Sequence, residues 1–146
     1  MALELLLLAL LAGVAVPFQA SFNAALARHA GRVEWAAFAN FVVGTLVLGL
    51  WLVIRRAAVP EASAFARAPW WAWAGGLLGA FYVSAITLAT PRLGVAVTLG
   101  VSIAGTMLAS LALDATGSLG LTLRPITGTR LLGAALLVAG VLLVRR

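Results

Sequence analysis

The feature that most limits what this chain can fold into is the length of its uncharged runs. Five stretches, at about 3–26, 35–54, 70–89, 93–113 and 128–144, contain between them two charged residues, Glu4 and Arg130. A helix needs about 20 mostly apolar residues to cross the hydrocarbon core of a bilayer. Four of the runs reach that length and the fifth is shorter. The runs are continuous, with no alternation of polar and apolar residues, which selects helices over barrel strands. Of the 146 residues, 64% are hydrophobic and 10% charged, too few charges to give a water-soluble fold its polar skin. The expectation is an all-α polytopic membrane protein, one domain of five transmembrane helices filling residues 1–146. The first run carries Glu4 and lacks a basic leader, so it is read as a retained span and not a signal peptide.

Aromatic residues support these boundaries. Trp35 and Trp51 are 16 positions apart, about 24 Å along a helix at 1.5 Å per residue, which sets one indole near each interface. Trp70, Trp71 and Trp73 follow Pro69, a residue suited to a first helical turn. The segment 61–67 is expected to form a brief interfacial helix after Pro60. Thr90, Pro91 and Arg92 read as a tight turn between the third and fourth spans, and 114–127 as a loop rich in Gly, Ser and Thr.

The net charge of +6 belongs to the membrane and not to nucleic acid, because short-loop arginines set orientation. All ten basic residues are Arg. With five spans, Arg28, Arg32, Arg92, Arg145 and Arg146 fall on one side. Arg55, Arg56, Arg67, Arg124 and Arg130 fall on the other. The bias is zero. A chain without bias is expected to insert both ways and to pair with a second copy of itself in the opposite orientation. Such an antiparallel homodimer has ten helices and the inverted-repeat symmetry of many secondary transporters, whose sites lie near the midplane of the repeat interface.

Polar side chains within a span are expensive and point to function or to helix contacts. Gln19 and Asn23, four apart, share a face of the first span. Pro17, one turn earlier, removes a backbone hydrogen bond and is a candidate hinge. Both amides either contact substrate, bond across helices or cap the helix end near Arg28. Thr98, Ser102, Thr106, Ser110 and Asp114 form a row at spacing four that winds slowly around the fourth span, since four residues overshoot one turn by about 40°. Ser102 and Thr106 are its best candidates for a cavity, against a packing role for the whole row. Tyr82 and Trp73 on the third span offer rings to an organic substrate or to the core. Gly75 and Gly79 form a GxxxG pattern for close helix packing. The acids sit at span ends or in a loop, and Asp114 is expected to cap a helix or pair with an Arg. A lone His and no Cys leave metal or nucleophilic catalysis little to build on. The chain is therefore read as a non-enzyme with no cofactor and no metal.

Several segments carry a resemblance to a known family. They are Pro17-Phe18-Gln19-Ala20-Ser21-Phe22-Asn23, Ala68-Pro69-Trp70-Trp71-Ala72-Trp73, Gly75-Gly76-Leu77-Leu78-Gly79-Ala80-Phe81-Tyr82 and Pro91-Arg92-Leu93-Gly94, with a fourth span ending at Asp114. Over nearly its whole length the chain resembles the YdcZ-like family of small bacterial inner-membrane proteins in the drug/metabolite transporter superfamily. The family pattern often has Gln after the Gly of the fourth span, where this chain has Gly105-Thr106. The resemblance implies a five-helix unit that pairs into a ten-helix, EamA-like transporter in the inner membrane. It supplies no substrate. The related small multidrug resistance proteins carry a Glu within the first helix, and nothing in the middle of this first span corresponds to it.

The leading expectation is a secondary transporter or exporter of small organic molecules, working by alternating access. The alternatives are a dual-topology ion channel and a non-transporting subunit of a membrane complex. The charge balance yields a direct test: a reporter fused to the C-terminus is expected to signal from both sides of the membrane, and signal from one side alone overturns dual insertion.

Overall fold

The computed structural model describes residues 2–144, the side chain of Ala2 excepted; Arg145 and Arg146 of the charge tally lie outside the described residues. The chain divides into two compact units, Met1–Pro91 and Arg92–Arg146. Among the described residues the regular structure is entirely helical. Four stretches are long and apolar enough to cross a membrane: Leu3–Ala30, Val33–Ile54, Trp70–Leu93 and Val95–Thr116. The fifth expected span is α6 (Gly128–Val144), apolar but only 17 residues long, about 25 Å from end to end.

The first unit opens with α1 (Ala2–Ala30) and α2 (Val33–Ile54), packed together and joined by Gly31 and Arg32. Gly31 has φ +75°, a left-handed conformation that glycine adopts without steric cost. The helix runs through Pro17 without interruption, and Ser21 Oγ donates to the Pro17 carbonyl at 2.8 Å. After α2 come the short α3 (Ala62–Ala66), a 3₁₀ turn at Trp70–Trp73 and α4 (Ala74–Leu93). The expected brief helix in 61–67 is thus present as α3. There Ser63 Oγ donates to Glu61 Oε2 at 3.1 Å, and Arg67 Nε donates to the Ser63 carbonyl at 3.1 Å. α4 meets α2 where Gly79 faces the ring of Phe41.

Thr90, Pro91 and Arg92 were expected to form the turn after the third span. They are helical instead, and Gly94 alone separates α4 from α5 (Val95–Thr116). The helix continues past Pro91, whose missing N–H leaves the Thr87 carbonyl without its usual intrahelical donor, and ends at Gly94, at φ +81°.

In the second unit α5 packs against α6. Gly117 caps α5 at φ +59°, its N–H donating to the Leu113 carbonyl at 3.0 Å. The following loop closes back on Asp114. The Arg124 N–H donates to the Asp114 carbonyl at 2.7 Å, and Arg130 in the first turn of α6 pairs with the Asp114 carboxylate. The expected Arg partner of Asp114 is therefore present. Both side chains are about one-third exposed, so water screens the pair and its contribution stays near the modest value of a surface ion pair.

The burial pattern inverts that of a soluble core. Buried positions are mostly small, as at Ala20, Ala24, Ala36, Ala37 and Ala134, whereas Leu, Val and Phe point outward along α1 and α2. Lipid tails are as apolar as Leu, so helices in a bilayer gain by close approach of small residues and not by hiding large ones. The tightest such approach is Gly100 on α5, where a Cβ would lie 3.1 Å from Val141 Cγ2 on α6. Gly100→Leu is expected to lower the thermal midpoint through an overpacking cost of about 1–3 kcal/mol. Adding Val141→Ala is expected to recover part of it in a double-mutant cycle read by unfolding in detergent.

Candidate functional site

An apolar helix can carry an amide in lipid only if a partner or a cavity receives it. On α1, Gln19 and Asn23 lie one turn apart, and α4 presents Tyr82 toward the same place. Together with Val16, Ala20, Val83 and Ile86 these residues line a small cavity of about 10 Å³. That is room for about one water molecule. Asn23 is only 6% exposed, and its amide is absent from the side-chain hydrogen bonds among the described residues. The structure thus brings three expected site residues, Gln19, Asn23 and Tyr82, to one point within the first unit. Pro17 lies two residues before Gln19, next to the cavity-lining Val16.

The other expected residues lie elsewhere. Trp73 ends the 3₁₀ turn, is 62% exposed, and packs its ring against Phe65 at 6.0 Å; it does not line the cavity. Ser102 and Thr106 are on α5 in the second unit. The Thr106 hydroxyl donates to the Ser102 carbonyl at 2.9 Å, a local bond of the kind that lets a hydroxyl sit in a helix without an outside partner. The row winds as its spacing requires: Thr98 is buried, Ser102 half-buried, Thr106 and Ser110 exposed. Of the two glycines, Gly79 contacts Phe41, whereas a Cβ at Gly75 would meet nothing within 4 Å.

Sequence reasoning passed over Thr87 and Thr90. Both are buried, Thr87 at 1% exposure, and both hydroxyls donate within α4, to the carbonyls of Val83 and Ile86 at 2.7 Å each. The signal was present: Val83, Thr87 and Thr90 fall at the i, i+4, i+7 spacing of a single buried face. Thr98 differs from them, since its buried hydroxyl has no hydrogen-bond partner among the described residues.

A larger groove of about 420 Å³ runs between α5 and α6, lined by residues such as Gly100, Ile103, Gly133, Leu137 and Gly140. Its walls are apolar, so it lacks the few convergent polar groups by which a solute site sets orientation. Among the described residues no three His, Asp or Glu side chains gather where they could hold a metal ion.

Comparison with known proteins agrees with this arrangement of apolar helices. A family described as "Putative inner membrane exporter, YdcZ" matches residues 4–143. The chain belongs to the YdcZ family. It is 31% identical over 137 residues to the inner membrane protein YdcZ of Escherichia coli (strain K12), covering 92% of this chain and 90% of that one. No solved structure matches.

The cavity separates stability from function. Near-isosteric Asn23→Leu removes a buried amide and breaks no intrachain hydrogen bond. It is expected to leave the thermal midpoint unchanged or to raise it, by up to about 1 kcal/mol of stability. A midpoint that falls by several degrees would instead assign Asn23 a structural bond.

Proposed function

We propose that the protein is a secondary transporter that exports small organic molecules, built from two copies inserted in opposite orientations. It is a multi-pass protein of the bacterial inner membrane, as its family and its apolar helices indicate. The observation that carries the transport reading is the convergence of Gln19, Asn23 and Tyr82 on one cavity within otherwise apolar helices. Two amides and a phenol can donate and accept hydrogen bonds without carrying charge. Such a set suits a neutral or zwitterionic solute and gives a cation no buried carboxylate to bind.

The cavity holds about one water, so a substrate enters only if α1 and α4 part or the second copy widens the site. Either is what alternating access requires: a site that is closed in one state and opens in another. Pro17 beside the cavity supplies a position at which α1 can bend, because proline removes one intrahelical bond.

The antiparallel dimer is supported by the balanced arginines, given that α6 crosses the membrane as the fifth span. An apolar helix of 17 residues does so where the bilayer thins locally or flanking arginines reach to the interface. Arg130 lies in the first turn of α6, where it can make that reach. The drug/metabolite transporter architecture of paired five-helix units follows from the same two inferences.

Reconstitution tests the reading. Purified protein in liposomes, screened against small polar organic solutes under proton and sodium gradients, is expected to move at least one solute. Gln19→Leu and Asn23→Leu are expected to cut that flux by tenfold or more, about 1.4 kcal/mol per decade, with folding intact. Failure to move any solute under any gradient overturns the proposal.

A further inference from the structure

The turn after α2 is built in a way that the transport site does not explain. The N–H of Arg56 donates to the Val53 carbonyl and the N–H of Ala57 to the Leu52 carbonyl, each at 3.0 Å. This pair of bonds is the Schellman ending of a helix, whose left-handed residue is usually glycine. Here that residue is Arg56, at φ +46°. An L side chain is strained in this region, and glycine would relieve the strain. A positive charge does favour a helix C-terminus, but Arg55 at the preceding position already supplies one.

The Arg56 side chain borders an open concave surface, of whose residues Leu52, Val53, Val59 and Phe65 are each more than half exposed. Leu52, Val53, Val59, Pro60 and Phe65 make its apolar wall, and Arg56 is the one charged residue that lines it. The neighbouring arginines are occupied. Arg55 lies 5.8 Å from the Trp51 ring, and Arg67 donates to the carbonyl and hydroxyl of Ser63. Trp51, Trp70, Trp71 and Trp73 flank the segment on both sides in sequence, and tryptophans concentrate at the headgroup level of a bilayer. An open apolar surface with a single guanidinium, in a segment flanked by tryptophans, matches a molecule that is itself apolar with one anionic end.

We propose that this surface binds an anionic phospholipid, its phosphate paired with Arg56 and an acyl chain against Leu52, Val59 and Phe65. The guanidinium makes charge-assisted bonds to phosphate, and the strained backbone at residue 56 holds it at that surface.

Native mass spectrometry of the full chain tests this with dioleoylphosphatidylglycerol against dioleoylphosphatidylcholine. The wild type is expected to retain the anionic lipid about tenfold more strongly, the scale of one charge-assisted contact. Arg56→Gly keeps the helix ending, removes the guanidinium, and is expected to abolish the preference. Val59→Asp changes a side chain that is 90% exposed and is expected to weaken the preference by repulsion, which keeps the test decisive if Arg56→Gly fails to fold. Inorganic phosphate at millimolar concentration is expected to leave the lipid bound. Equal retention of the two lipids by the wild type, an unchanged preference in the folded variants, or displacement by phosphate overturns the proposal.

Discussion

Everything in this structure depends on one constraint: in lipid, each backbone N–H and C=O must find its partner inside the protein. Continuous helices meet it along four long stretches, and several of the connections between helices carry a device for closing the chain. Gly31 and Gly94 take positive φ in links of two residues and one. The longer segment after α5 is tied back through the Asp114 carbonyl and the Arg130 guanidinium. Backbone that leaves the helix is very short at Gly31 and Gly94 and fastened after α5, whereas the segment 55–61 between α2 and α3 is longer.

The same constraint sorts the polar side chains. A threonine can return its hydroxyl to its own helix, as Thr87, Thr90 and Thr106 do, and so it costs little and signifies little. An amide has two donors and an acceptor with two lone pairs, more than one helix can satisfy. Gln19 and Asn23 therefore need a cavity, a solute or a second chain, and the structure sets them at a cavity beside the Tyr82 ring. The difference between hydroxyls that bond within their own helix and amides set at a shared cavity separates the candidate site from most of the polar content of the spans, Thr98 with its unpartnered hydroxyl excepted.

Much of this was legible in the sequence, because the controlling signals are local. The apolar runs gave the four long helices nearly to their ends, and Pro60 and Arg67 bounded α3. The spacing of Gln19 and Asn23 put them on one face. Tyr82 could be singled out by its depth in the third span, but its meeting with α1 depends on tertiary packing that no local pattern encodes. Thr90, Pro91 and Arg92 do not form the expected turn, because the helix continues through Pro91 and Gly94 supplies the break. Asp114 and Arg130 lie 16 residues apart, and only the folded loop shows that they pair. Thr87 hides among residues of ordinary apolar appearance and Thr90 was assigned to the turn, although their spacing with Val83 marks a buried face.

The helices also differ in length in a way that bears on the membrane around them. The apolar part of α1 extends about 36 Å, whereas α6 measures about 25 Å. A hydrocarbon core about 30 Å thick is too thin for one and too thick for the other. With α6 across the membrane, α1 must tilt while the bilayer pinches at α6, and each adjustment carries an elastic cost that changes with acyl-chain length. Thinner lipids would then relax one helix as they strain the other, so the mismatch of the two lengths ties the fit of the chain to the membrane around it.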